Sequence, residues 1–397
     1  MASLSPAQAI AAVTAALAQL PPAESIPESD RLQLLGVMDQ VRVAMEPPIL
    51  TARNLCFAHY GLVGIRGRFP PDHRAVGGDG QGRKLRCVRS AIDGSSVGRI
   101  LRLLAANHLV IQAADQTYQP LPLALGFTTG SPLAEVIKHF YTNMRASAFL
   151  DEYLASHEYR NPEDAWNAPF QWAYQTQEHH FAWLQTHPED QHAFNVVMGL
   201  NRQLDGAQWF DVYPVEDKLR VSPHRVRLVD VGGGLGHDVA RCKARFPDMP
   251  GKLVVEDLPA VIREIQTPLG EDVEAIACDM FAAQPVHGAK AYYLRTVLHD
   301  WPDQQALQVL GRIHEAMAED SVLLVNENTL PEQAAPAGSV AVDILMMELY
   351  ASLERTEKQW IDLLQRAHFT VVKVWRAESQ GVGSHALYEA VPVGRAL

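Results

Sequence analysis

From Arg225 onward the chain alternates short apolar runs with longer amphipathic segments. RVRLVDV, KLVVED, VEAIACD, KAYYLRTVL and SVLLVNE are β-branched runs of strand length separated by helical segments, the pattern of a parallel sheet covered on both faces. Two further runs, FTVVKVW and HALYEAVPV, are joined only by RAESQGVGS. That linker is too short for a crossover helix, so the runs predict an antiparallel hairpin at the sheet edge. Seven strands, mostly parallel with an antiparallel last strand, are expected.

The first half reads differently. MASLSPAQAIAAVTAALAQL is an amphipathic helix ended by Pro21-Pro22, and Ser29 is a candidate N-cap for a second helix halted by Pro47-Pro48. In SSVGRILRLLAANHLVI, Val97, Ile100, Leu101 and Leu104 repeat at i, i+3, i+4 and i+7, the stripe of a helix on a core. A short extended pair, DQTYQPLPLA, follows. A helix followed by a small hairpin outlines a winged helix, a module that either reads DNA or scaffolds a dimer. Residues 132 to 220 are mostly helical and rich in aromatics, which pack as core or line a pocket for a flat ligand.

Composition narrows the classes. The 397 residues exceed one ordinary domain, and 47% hydrophobic with 20% charged is the composition of a chain that buries large cores. A formal charge of −12 argues against coating nucleic acid or an anionic membrane. No apolar run of membrane-spanning length occurs. The four cysteines, Cys56, Cys87, Cys242 and Cys278, show no metal-binding or disulfide spacing, which fits a reducing, cytoplasmic setting. One stretch departs from the acidic balance: residues 66–89 carry Arg66, Arg68, Arg74, Arg83, Lys84, Arg86 and Arg89 against two aspartates, with neither structural period. It reads as a long loop.

The chemistry gathers at the strand ends. The first run closes in Asp230-Val-Gly232-Gly233-Gly234-Leu-Gly236. Its glycines fall at 232, 234 and 236, whereas a dinucleotide fingerprint needs its third glycine one residue later. This spacing excludes a nicotinamide oxidoreductase. It leaves a tight strand-to-helix turn, or close backbone approach to a cofactor lacking a pyrophosphate. The later strands end at Glu256-Asp257, Asp279, His299-Asp300 and Glu327. Each acid alone could be a helix N-cap, but ligands of open α/β sheets bind beyond the carboxyl ends of the strands, so these groups converge on one crevice. His299 is the candidate base: an ordinary imidazole of pKa ~6.5 is mostly neutral near pH 7 and can accept a proton. Glu327 and Glu354 are candidates to orient it. The adjacent His179 and His180 read as structural, and no metal site is expected.

At this point the residues resemble a family. LVDVGGGLG, VVEDLPAVI, CDMF, YYLRTVLHDWPD, VNENTLPE and DILMMELYASLERTEKQWIDLLQRAHF occur in order and are similar to the plant and fungal small-molecule O-methyltransferases of the caffeic-acid type. The resemblance runs from Phe194 to Phe369, with weaker similarity before it. It implies a seven-stranded Rossmann-like α/β methyltransferase domain over residues 141–397, its core starting at about 221. A mainly helical, winged-helix dimerisation domain would occupy residues 1–140. It implies S-adenosylmethionine as methyl donor, a homodimer, and an aromatic or polyketide-type acceptor of secondary metabolism. Asp230, Gly232, Gly234 and Gly236 would approach the methionine part, Asp257 would hold the ribose, and Asp279, Met280 and Trp301 would frame the adenine. His299 would take a phenolic proton, with Glu327 and Glu354 bracketing its ring. Phe194, Met198, Met346 and Met347 would clamp the acceptor, or else pack as core. Arg295 stands where plant members usually carry Lys, and it keeps the charge of that cofactor-side position. Two alternatives on this fold are a pericyclase or dehydratase that binds the same cofactor, and a winged-helix regulator with a vestigial catalytic half.

Overall fold

The computed structural model describes residues 5–22, 25–47, 85–86, 94–112, 117–127, 130–204, 208–265, 269–270, 272–377 and 385–394. The basic 66–89 segment lies outside these residues apart from 85–86, as do Cys56 and Cys87. The chain forms two compact units, residues 1–61 and 62–397.

Among the described residues the first unit contains two helices. Pro6–Ala18 is started by a capping box between Ser5 and Gln8, so orphan amides of its first turn are satisfied reciprocally. Glu28–Met45 has Pro27 at its N-cap position. Ser29 therefore lies inside the first turn, where its hydroxyl bonds Asp30 (3.2 Å); Pro27, with φ fixed near helical values, starts the helix in place of the expected cap. Both helices leave apolar side chains in solvent, among them Ile10, Val13, Leu35, Val41 and Met45.

The second unit opens with the helix Gly94–Ala106 and three short antiparallel strands, β1 (Leu85–Arg86), β2 (Val110–Gln112) and β3 (Thr117–Pro120), in the order β1-β3-β2. Leu101, Val110 and Tyr118 form a small core of their own, with Leu104 against it, as the helical stripe predicts. A set of helices follows, including Pro132–Ala148, His180–Thr186 and Pro188–Leu204.

The large sheet comprises β4 (Val226–Val231), β5 (Lys252–Asp257), β6 (Val273–Ala277), β7 (Ala291–Arg295), β8 (Val322–Asn328), β9 (Phe369–Trp375) and β10 (His385–Pro392). Their order is β6-β5-β4-β7-β8-β10-β9, with β10 antiparallel to both neighbours. The hairpin expected at the edge thus forms, and its second strand inserts between β8 and β9. The strands read as unbroken apolar runs because both faces are covered. Val229, Val254, Tyr292 and Leu323 enter one core with Trp360, while Leu228, Val255, Tyr293 and Leu324 enter the other with Trp209. Burial of each such side chain contributes about 1.5–3 kcal/mol. All the carboxyl ends of β4, β5, β7 and β8 consequently open at one rim, because these strands pair in parallel.

Candidate active site

The glycine loop follows β4. Gly232, Gly234 and Gly236 all have positive φ, at 71°, 60° and 76°, a region costly to residues with a Cβ. At Gly236 a Cβ would also stand 2.7 Å from Leu269 Cδ1. The loop is fastened to β5 by its amides: Gly232 and Gly233 donate to the Glu256 carbonyl (2.8 and 3.1 Å), and Gly234 donates to Asp257 Oδ2 (2.8 Å). Asp257 Oδ1 accepts from the Leu258 amide. Asp230 is buried beneath the loop, its carboxyl 2.6 Å from where a Cβ on Gly233 would stand. Arg295 is buried as well, and Nη1 donates to Asp238 Oδ1 at 2.7 Å, tying β7 to the helix His237–Arg245 that the loop begins. Asp279 is exposed at the next strand end, where Oδ1 accepts from the Phe281 amide. Met280, Phe281 and Trp301 share one apolar cluster, Phe281 and Trp301 meeting edge to face at 4.7 Å.

After β7 the chain turns sharply. Thr296 sits at φ 48°, an unusual conformation for a β-branched residue, and Leu298–Asp300 forms a single 3₁₀ turn. This turn presents His299. Nδ1 lies 2.6 Å from Glu354 Oε1, and Nε2 lies 3.5 Å from Asp300 Oδ1. Glu354 can only accept, so it fixes a proton on Nδ1 and leaves Nε2 as the basic atom of the neutral ring. Glu327 holds the turn's backbone: Oε1 accepts from the Val297 and Leu298 amides (3.0 and 2.8 Å).

The ring's charge differs from expectation. Burial opposes the imidazolium, but the carboxylates of Asp300, Glu354 and Glu327 outweigh it and raise the His299 pKa to about 10. The ordinary value near 6.5 fails here because of distances that no spacing in the chain reveals. Asp300 is raised as well: burial lifts it to about 7 against the pull of His299, helped by Glu327 and Glu354.

An aromatic wall stands beside the turn. His179 stacks on Trp301 (4.6 Å, interplanar 10°), and His180 Nδ1 is 3.0 Å from Tyr350 Oη. Burial holds His179 neutral, its pKa lowered to about 4. Among the described residues no group of three or more His, Cys, Asp or Glu could hold a metal ion. Met346 is buried in a cluster with Tyr350, against which Phe181 and Phe194 pack. Phe181 and Phe194 meet edge to face at 5.8 Å. Met198 and Met347 are half-buried on the same helices as Phe194 and Met346. Asp300 is legible as a strand-end acid and Phe181 as one of the aromatics of residues 132–220, whereas Tyr350 carries no such signal in the sequence.

A family described as an O-methyltransferase domain matches residues 156–370. The O-methyltransferase mfmE of Annulohypoxylon moriforme is 35% identical over 288 residues, 72% of this chain and 71% of that protein. Among solved structures, LepI in complex with SAM is similar with a TM-score of 0.81 at 26% identity, covering 98% of this chain and 100% of that one. A structure described as a pericyclic reaction enzyme also gives 0.81 at 26% identity, over 97% of this chain and 100% of its own.

Proposed function

The chain belongs to the class II family of small-molecule O-methyltransferases, and we propose that it methylates a phenolic hydroxyl of an aromatic or polyketide-type secondary metabolite, with His299 as general base. The observation that carries this reading is the His299–Glu354 pair, which leaves one basic nitrogen directed away from its orienting carboxylate.

The crevice suits S-adenosylmethionine. Three glycines of positive φ keep the loop backbone bare, and Asp257 and Asp279 stand at successive strand ends. A carboxylate pair serves hydroxyls and an amino group, not phosphates. Asp257 would hold the ribose hydroxyls, Asp279 the adenine edge between Met280 and Trp301, and the 232–236 loop the methionine part, with Asp230 and Arg295 supporting that loop from beneath. When bound, S-adenosylmethionine supplies an electrophilic methyl on a sulfonium.

The protein's own part is binding, orientation and proton transfer. Phe194, Phe181 and Met198, with Met346 and Met347 on the facing helix, hold the acceptor ring with its hydroxyl at Nε2. A phenol ionises near pKa ~10, and the carboxylates around His299 raise its basicity above that of an ordinary imidazole, which favours proton transfer to Nε2. Glu354 stabilises the imidazolium formed, a contribution worth about 10²–10⁴ in rate for the base as a whole. Alignment of the reacting atoms supplies much of the remainder. A pericyclic rearrangement, the alternative the second structural neighbour brings forward, needs no proton acceptor, whereas Glu354 orients His299 as one.

Residues 1–140 act as the dimerisation and winged-helix-like domain and 141–397 as the transferase domain. The exposed Ile10, Val13, Leu35, Val41 and Met45 are the kind of apolar surface that a second copy covers. Free Cys242 and Cys278, together with the absence among the described residues of a helix able to cross a membrane, support a cytoplasmic enzyme. Incubation with methyl-labelled S-adenosylmethionine and a panel of phenols tests the reading. Label in the product is expected, and turnover of an acceptor without label overturns it in favour of the alternative.

A further inference from the structure

The turn that carries His299 is closed by two backbone bonds, from the Asp300 amide to the Val297 carbonyl and from the Trp301 amide to the Leu298 carbonyl (both 3.2 Å), and side chains hold it from outside. Glu327 accepts from the Val297 and Leu298 amides at its entrance, and the Ser352 hydroxyl donates to the His299 carbonyl (2.5 Å). Two further carbonyls, on either side of His299, are met by one residue. Arg355 Nη1 donates to the Leu298 carbonyl at 3.1 Å and Nη2 to the Trp301 carbonyl at 3.0 Å, so a single guanidinium spans the turn from one side of His299 to the other. Arg355 is 1% exposed. Its Nε and Nη2 reach Asp303 Oδ1 (3.2 and 2.7 Å), and its Cζ lies 4.9 Å from the Trp360 ring centre.

The backbone of Arg355 is fixed too. Its carbonyl accepts from Leu330 beyond β8 (3.0 Å), and the next residue, Thr356, opens the helix Glu357–Arg366 with a capping box. Glu354, which orients the imidazole, is thus adjacent to the residue that fixes the backbone of that same histidine.

We propose that Arg355 is a positioning residue for the base: Glu354 sets the ring and Arg355 sets the backbone from which the ring projects. The proposal rests on His299 being the base. A planar fork of five donors is required, because two carbonyls and a carboxylate must be met at once. Lysine keeps the charge but presents a point donor that cannot span them.

Arg355→Lys in the full chain tests this. The kcat for methyl transfer should fall about 10–100-fold, the scale of a misplacement near 1 Å. The dissociation constant for S-adenosylhomocysteine and the acceptor KM should change by no more than about threefold, under 1 kcal/mol. The midpoint of the pH–rate profile should stay where it is, because the groups that set the charge of His299 are intact. In a His299→Ala background, Arg355→Lys should cost nothing further. Ser352→Ala, which removes only the hydroxyl bond to the His299 carbonyl, should give the same signature at smaller amplitude, and it serves as the readout if the arginine variant is poorly folded. The proposal is overturned if the variants keep native kcat, or if kcat, cofactor affinity and Tm fall together as in general loosening. It is also overturned if Arg355→Lys slows the His299→Ala protein as much as the native one. Full activity of His299→Ala alone is a separate result and removes the base assignment itself.

Discussion

Glu354→Gln separates charge from geometry at the proposed base. Glutamine keeps an acceptor oxygen for the Nδ1 proton, so the ring stays oriented, while the negative charge 2.6 Å away is lost. The Glu354 side chain is 1% exposed, so solvent screens the interaction little. An opposite charge this close shifts a pKa by about 1–3 units, each worth about 1.4 kcal/mol. Starting from about 10, the midpoint for His299 should drop into the range of about 7 to 9. Native activity should rise with pH, because the raised pKa keeps most rings protonated near neutral pH. In the variant the same rise should come earlier, with a lower plateau at high pH because a weaker base gains less from the transfer. The assay is kcat/KM against pH at constant ionic strength, native and variant at the same saturating cofactor concentration, so that the bound cation acts on both alike. A variant profile with the native midpoint and only reduced amplitude would refute the reasoning, as would an alkaline displacement.

Asp257→Asn should weaken S-adenosylhomocysteine binding about 10–100-fold in calorimetry, the loss expected for a charged hydrogen bond; unchanged affinity would remove Asp257 from the cofactor site. Gly236→Ala should lower stability by about 1–3 kcal/mol, because φ is 76° and the new Cβ would press on Leu269; an unchanged denaturation midpoint would contradict this. Glu256 is buried on β5, and burial raises its pKa from 4.5 to about 7. A raised folded value means that its contribution to stability is fully present below about pH 4.5 and is lost as pH rises through about 7. Glu256→Gln should therefore stabilise the protein at pH 8 by on the order of 1–3 kcal/mol and do little at pH 4.5, measured by chemical denaturation; equal effects at both pH values would defeat the linkage.

The seven strands were legible because a strand buried on both faces is a continuous apolar run, and RVRLVDV or SVLLVNE can hardly be anything else between polar segments. The crevice was legible because parallel strands bring their ends to one rim, so Asp257, Asp279 and His299 could be grouped before their distances were known. What spacing could not express is direction. Glu327 and Glu354 are equivalent as strings, yet one carboxylate turns to the backbone of the 297–298 turn and the other to the imidazole. Arg295 reads as a cofactor-side cation, whereas its guanidinium pairs with buried Asp238. The His299 charge state was illegible for the same reason: it depends on three carboxylates brought from β8, from the turn itself and from the segment before Glu357. Ser29 reads as a cap in one dimension, yet it stands two residues past Pro27, which takes that position.

The central claim is that His299 takes the acceptor's proton in a methyl transfer. The most direct measurement is label transfer to a phenol by His299→Ala, paired with S-adenosylhomocysteine binding by the same preparation. The rate should fall by about 10²–10⁴ with binding nearly intact. Transfer at the native rate, in a variant that binds the cofactor product normally, would contradict it.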